Sequence, residues 1–145
     1  MRVLLDTCVV IDALQSREPF CKDAQEIFLA AANRRFDGYL TAKATTDIYY
    51  LTHRLTHSDK ETRRILSTLL GLFELIDTAG MDCRRAVSSD MGDFEDAVMA
   101  ESALRSGMDY IVTRNGRDYR QSPVPVCSPG ELLEMVSPED DTEPS

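Results

Sequence analysis

Apolar positions along this chain fall into short runs and helical stripes that alternate from one end to the other. RVLLD, residues 2–6, is a short apolar run ending on Asp6, the pattern of a buried strand that delivers a carboxylate at its C-terminal end. A helical segment over Cys8–Gln15 follows and breaks at Ser16–Pro19. Ala24, Ile27, Phe28 and Ala31 recur at spacings of three and four and predict a helix from Cys21 to Ala32. Phe36–Thr41 reads as a second strand, with Asp37-Gly38 either a turn or a strand-edge kink. Ala44–Leu55 is an amphipathic helix with its stripe at Ala44, Ile48, Leu51 and Leu55, and Ser58 with Glu61 forms a capping box that opens a helix through Leu70. Phe73–Asp77 predicts a third strand, Met81–Ser88 is weakly helical, and Asp93–Ser106 is a strong helix stopped by Gly107. Asp109–Thr113 is a fourth strand and Val124–Cys127 a short fifth. Ser128, Pro129 and Glu131 supply an N-cap, a first-turn proline and a capping-box acid for a last helix over 129–136.

Strands thus alternate with helices or helical hairpins, which predicts an α/β fold: a mostly parallel central sheet of four to five strands flanked by helices. Sites in such sheets form beyond the carboxyl ends of the strands. Asp6 and the Thr113–Asn115 segment both fall at that edge. With no internal repeat and no interdomain linker, one domain is expected over 1–136, followed by an acidic, disordered tail over 137–145. A chain of 145 residues can bury a core without disulfides or a structural metal.

Composition changes this picture only at the margins. Apolar content of 43% and charged content of 28% are those of an ordinary globular protein, and no apolar run approaches the roughly 20 residues of a membrane span. The apolar start is interrupted by Asp6 and Asp12 and lacks a small-residue cleavage site, so a cytoplasmic location is expected. Cys8, Cys21, Cys83 and Cys127 form no CxxC pair and read as small hydrophobes in a reducing compartment. Net charge is −9, but the tail alone carries Glu139, Asp140, Asp141 and Glu143, and without them it is −5. Setting aside four further carboxylates singled out below leaves −1, with sixteen Lys and Arg still present. The balance argues against broad non-specific DNA binding and leaves room for a local phosphate-binding patch.

Asp6 has two readings, a cap for the following helix or a site carboxylate. Asp47 falls within the apolar stripe of its own helix, where a carboxylate needs a partner; it either reaches solvent beside Arg54 or faces a site. Asp96 stands at the third position of a helix capped by Asp93, an acidic start that the helix dipole favours. Ala100 and Ala103 share its face, while Phe94, Ala97, Val98 and Leu104 make a second one, so the helix is expected to be buried on two sides with Asp96 inward. In TRNGRDY, residues 113–119, Thr113, Asn115 and Asp118 are oxygen donors, and Arg114, Arg117 and Arg120 recur every third residue. His53 and His57, at i and i+4, read as surface residues, and Tyr49 and Tyr50 as packing residues. Three or four oxygen ligands from separate elements suit a hard cation, Mg²⁺ or Mn²⁺, which relieves carboxylate repulsion.

These residues, in this order, resemble the PIN-domain ribonucleases, including VapC-like toxins of bacterial toxin–antitoxin modules. LLDTCVVIDAL resembles the family's opening strand with its first acid, at Asp6; TAKATTDIYYLTHR resembles the helix that presents the second, at Asp47. DFEDAVMAESALRSGMDYIVTRNGRDY matches best, with the third acid at Asp96 and a T-x-N-x-x-D-[FY] stretch after the fourth strand. Two positions depart from the pattern: the second acid is commonly Glu, and Asn115 stands where Asp is common, which leaves Asp118 as the fourth carboxylate. The resemblance implies metal-dependent endonucleolytic hydrolysis of RNA with one or two Mg²⁺ or Mn²⁺ held by Asp6, Asp47, Asp96 and Asp118. Thr7, Thr113, Asn115 and Asp93 would support the site, and Arg114, Arg117 and Arg120 are candidate RNA contacts. It also implies a cognate antitoxin that occupies the site, and a homodimer. The two departures motivate an alternative, a catalytically impaired PIN domain acting as an RNA- or protein-binding module. A receiver domain fits worse, because Asp6 is followed by Thr7-Cys8 rather than a second acid and the fifth strand ends Cys127-Ser128 without a Lys.

Overall fold

A computed structural model describes residues 1–138. The acidic stretch from residue 139 onward, on which the expectation of a disordered tail falls, lies outside the described residues. In chain order the elements are β1 (Arg2–Leu5), α1 (Thr7–Leu14), α2 (Cys21–Ala32), β2 (Asp37–Thr41), α3 (Ala42–Thr56), α4 (Asp59–Leu72), β3 (Glu74–Ile76), α5 (Gly80–Val87), α6 (Phe94–Arg105), β4 (Tyr110–Val112), a 3₁₀ turn (Gly116–Tyr119), β5 (Val126–Cys127) and α7 (Pro129–Val136). The five strands form one parallel sheet in the order β3-β2-β1-β4-β5. The chain builds outward from β1 through β2 to β3, then crosses back to lay β4 and β5 on the other side. The reversal falls between β1 and β4, and a crevice opens at the carboxyl ends of strands at such a switch point.

Alternation along β1 splits the core in two. Val3 and Leu5 join Val9, Ile27, Leu40, Ile48, Leu69 and Leu132 on one face, under α1–α4 and α7. Leu4 joins Ile111, Ala97, Ala100, Ala103 and Ile76 on the other, under α5 and α6. Both faces are covered, as an all-parallel sheet requires.

Several sequence expectations change here. Asp37-Gly38 is neither turn nor edge: both residues lie in β2, where Gly38 pairs with Val3. A Cβ on Gly38 would come within 2.6 Å of the Phe73 ring, so the glycine lets that ring lie on the strand. Ser58 accepts from the Glu61 N–H at 3.1 Å, but the box stays half-made: Glu61 turns to Arg64, and the Ser58 N–H donates to Thr56. On α3 the stripe ends early; Leu55 is exposed and Thr52 is the buried residue of that turn. On α6 the small-residue face is buried as expected, but Phe94 and Leu104 are exposed. Gly107 does end α6 as expected, at φ +71°, where only glycine is unstrained. His57, at φ 51°, closes α3, and the His53 ring stacks on Tyr49, so the two histidines do not converge.

Candidate active site at the sheet's switch point

Asp6 leaves the end of β1 at the N-cap position of α1, yet its side chain takes no capping bond from the following turn. Its Oδ2 accepts instead from Thr113 Oγ at 2.8 Å and, more weakly, from the Cys8 thiol at 3.6 Å. Thr113 is the residue just after β4, so the two strands flanking the switch point are tied by this bond as well as by their ladder. The Asn115 N–H donates to the same Thr113 oxygen at 3.0 Å, which fixes the hydroxyl proton toward Asp6. Asp6 is 8% exposed, and burial pushes its pKa above the ordinary value despite its side-chain donors, Thr113 and Cys8 first and the Tyr119 hydroxyl last.

Asp96 reaches the same place from α6. Asp93 caps that helix, accepting from the Asp96 N–H at 3.0 Å, but the Asp96 carboxylate does not stay at the helix terminus. It accepts from the Tyr119 hydroxyl at 3.2 Å. Its pKa is pushed up to about 7, first by burial and then by the negative charges of Asp6, Asp93 and Asp118. The two acids therefore share one field, and no Lys or Arg of the chain is bonded to either of them among the described residues.

The other predicted residues sit around this pair. Thr7 opens α1 and lines a cleft of about 320 Å³ between α3 and α6, with Lys43 and Asp47 on one wall and Phe94, Glu95 and Val98 on the other. Neither Asp6 nor Asp96 lines it; the cleft runs beside the pair rather than over it. Asp47 does not pair with Arg54. Lys43, one turn earlier, holds it at 2.8 Å and reaches across to Glu95 at 2.6 Å, bridging α3 and α6. Asp118, Asn115, Arg117 and Arg120 are exposed on the turn after β4. Arg114 is committed elsewhere: its Nε donates to the buried Asp12 at 2.6 Å and its guanidinium lies 4.2 Å from the Phe20 ring. That pairing pins the β4 loop to α1. Of the four predicted acids, then, the fold brings Asp6 and Asp96 together, leaves Asp118 within electrostatic reach, and holds Asp47 in an ion pair at the cleft. No three His, Cys, Asp or Glu side chains among the described residues group closely enough to enclose a metal ion.

Sequence reasoning missed two groups. Tyr119 was only the final aromatic of a motif, yet it is buried with its hydroxyl on Asp96. Asp12 registered only as a break in the apolar start; its 1% exposure and its Arg114 partner make it the anchor of the site loop. A tyrosine one residue beyond a turn acid, and an acid inside an otherwise apolar first helix, were the available signals.

An all-parallel sheet with its acids gathered at the carboxyl edge of the switch point defines an α/β domain of the acidic-site class. The PIN domain family model matches residues 2–117, and the chain belongs to that family. No curated protein matches the sequence. Solved structures share the fold. A FitAcB structure from Neisseria gonorrhoeae superposes with a TM-score of 0.66 at 19% identity, covering 90% of this chain and 99% of that one. A toxin–antitoxin complex from Klebsiella pneumoniae gives 0.64 at 21%, covering 88% and 97%. VapBC2 from Rickettsia felis, bound to a promoter DNA fragment, gives 0.62 at 16%, covering 88% and 98%. No helix among the described residues is long and apolar enough to cross a membrane.

Proposed function

We propose that the chain is a metal-dependent endoribonuclease that hydrolyses RNA phosphodiester bonds and serves as the toxin of a toxin–antitoxin pair. One observation carries the nuclease reading. Among the carboxylates that are nine-tenths or more buried, Asp12 and Asp82 each have an arginine, whereas Asp6 has none and faces Asp96, which has none either. Two crowded acids, both pushed upward by burial and Asp96 further by the charge of Asp6, form a donor set that a hard cation satisfies. Mg²⁺ commonly takes one or two carboxylates and keeps several waters, so Asp6 and Asp96 suffice as its direct holders, with Asp118 and Asp47 as outer partners. Such a cation, when bound, supplies Lewis acidity and a water of lowered pKa beside the phosphate. Thr113 orients Asp6. Arg117 and Arg120, exposed beside the pair, meet backbone phosphates, and the cleft past Phe94 takes an unpaired base. Likeness to a toxin–antitoxin complex supports an antitoxin partner; a homodimer and a cytoplasmic location belong to the same reading as expectations from the sequence.

Purified protein incubated with Mn²⁺ and a panel of fluorogenic RNAs tests the reading. Cleavage is expected, and Asp6→Asn or Asp96→Asn should each lower it by roughly 100-fold or more. Cleavage that survives both substitutions overturns the assigned site. A second reading, the impaired PIN domain that only binds, is favoured by the Lys43 bridge that holds Asp47 away as an ion pair. RNA retained without cleavage at any Mg²⁺ or Mn²⁺ concentration would select it.

A further inference from the structure

Tyr119 presents a choice that packing does not explain. Its ring is almost wholly buried in the core between α6 and the sheet, where a phenylalanine would fill the same space without a polar atom to satisfy. A buried hydroxyl is costly unless it is bonded, and this one has a single proton to give. Two acceptors stand within reach, Asp96 Oδ1 at 3.2 Å and the Met99 thioether at 3.4 Å. The carboxylate is by far the stronger acceptor. The same hydroxyl acts on Asp6 too, as the weakest of its donors after Thr113 and Cys8, whereas Tyr119 supplies the one side-chain donor that Asp96 has among the described residues.

The turn after β4 adds a second observation. Gly116–Tyr119 is one 3₁₀ turn, so Asp118 points to solvent while Tyr119, the next residue, is driven inward. Thr113 at one end of this loop bonds Asp6, and Tyr119 at the other end bonds Asp96. A single loop therefore holds both acids through neutral donors, each taking up one oxygen. A neutral donor fixes a carboxylate without supplying the charge that a cation would have to displace.

We propose that Tyr119 is a positioning residue for the metal site: its hydroxyl holds one oxygen of Asp96 and leaves the other turned toward Asp6. The inference rests on the metal-site reading above and deepens it. Without the hydroxyl the Asp96 carboxylate is free to rotate, and a cation must order it on binding, which costs affinity rather than fold.

The test is Mn²⁺ binding by the full chain, followed by electron paramagnetic resonance of the free ion and paired with thermal unfolding without metal. Tyr119→Phe keeps the ring and should weaken Mn²⁺ binding roughly 10-fold, the lower end for loss of an outer-shell partner. The metal-free unfolding midpoint should stay within a few degrees. Met99→Leu changes the packing around the same ring and leaves the O–H···O bond intact, so it should bind Mn²⁺ like the parent. Equal weakening by Met99→Leu and Tyr119→Phe would reduce Tyr119 to a packing residue and overturn the inference. So would unchanged Mn²⁺ affinity in folded Tyr119→Phe. Asp96→Asn separates the two levels: if it too binds Mn²⁺ like the parent, the metal-site reading falls and this inference with it. If it loses Mn²⁺ while Tyr119→Phe does not, only the inference falls.

Discussion

Two buried carboxylate clusters flank α6, and they have opposite electrostatic fates. Asp82, from α5, is 1% exposed, and burial alone would raise its pKa. Arg105 at 2.9 Å, the Ala79 N–H at 2.8 Å and Ser102 at 2.9 Å outweigh that and hold it below the usual range. Asp6 and Asp96, at the other end of the helix, receive hydroxyl and thiol donors but no cation, and both are pushed up. The chain thus has the means to complete a buried acid and withholds them at the switch point. A completed cluster fastens α5 to α6; an incomplete one is left to complete itself with something from outside.

The largest test of that contrast is a pair of substitutions. Asp82→Ala strips partners from a half-buried N–H, a buried hydroxyl and Arg105, and should cost about 2–4 kcal/mol in urea unfolding. Asp96→Asn removes repulsion instead, so the metal-free protein should be at least as stable as the parent at pH 8. A destabilised Asp96→Asn would mean that the pair is structural after all.

Next in size is the pH dependence. Asp96 titrates near 7 in the folded chain and near 4 when unfolded, so folding takes up a proton between those values. Its contribution to stability is fully present below about pH 4 and is lost as pH rises through 7. Thermal unfolding without metal should therefore show the midpoint falling from pH 5 to pH 8. The fall should shrink in Asp96→Asn and in the presence of Mn²⁺. A flat profile in the parent would remove the electrostatic argument for the site.

The smallest effect belongs to Lys43. Its bridge to Asp47 and Glu95 is half exposed, so Lys43→Gln should change stability by less than about 1 kcal/mol. Because it frees Asp47 beside the cleft, Mn²⁺ affinity should rise slightly. A drop in affinity would place Lys43 itself among the groups that support the site.

The fold was legible because β1, α2 and α7 carry unambiguous periods and caps; Ser128 and Glu131 form the reciprocal box that their spacing predicts. Asp6 and Asp96 were legible for the same reason, since strand end and helix start locate them. What the periods do not encode is which residue a long side chain reaches. Lys43 reaching Glu95, Arg114 choosing Asp12, and Tyr119 choosing Asp96 are decided by tertiary contacts between residues tens to a hundred positions apart along the chain. Leu55 and Leu104 were misplaced because a helical stripe shows where burial can occur, while the neighbours that cover it are set by topology.

The strand order has a consequence for synthesis. Asp6, just after β1, is made well before Thr113, which lies 107 positions later, and Tyr119 comes later still. At about 5–20 residues per second, a growing chain carries its first acid for on the order of 5–20 s before the loop that completes the site exists. Until β4 slots in beside β1, Asp6 on the growing polypeptide lacks the Thr113 donor that orients it. An activity of the kind proposed would switch on only after that loop is made and folded, which gives a proposed neutralising partner made alongside it time to be waiting.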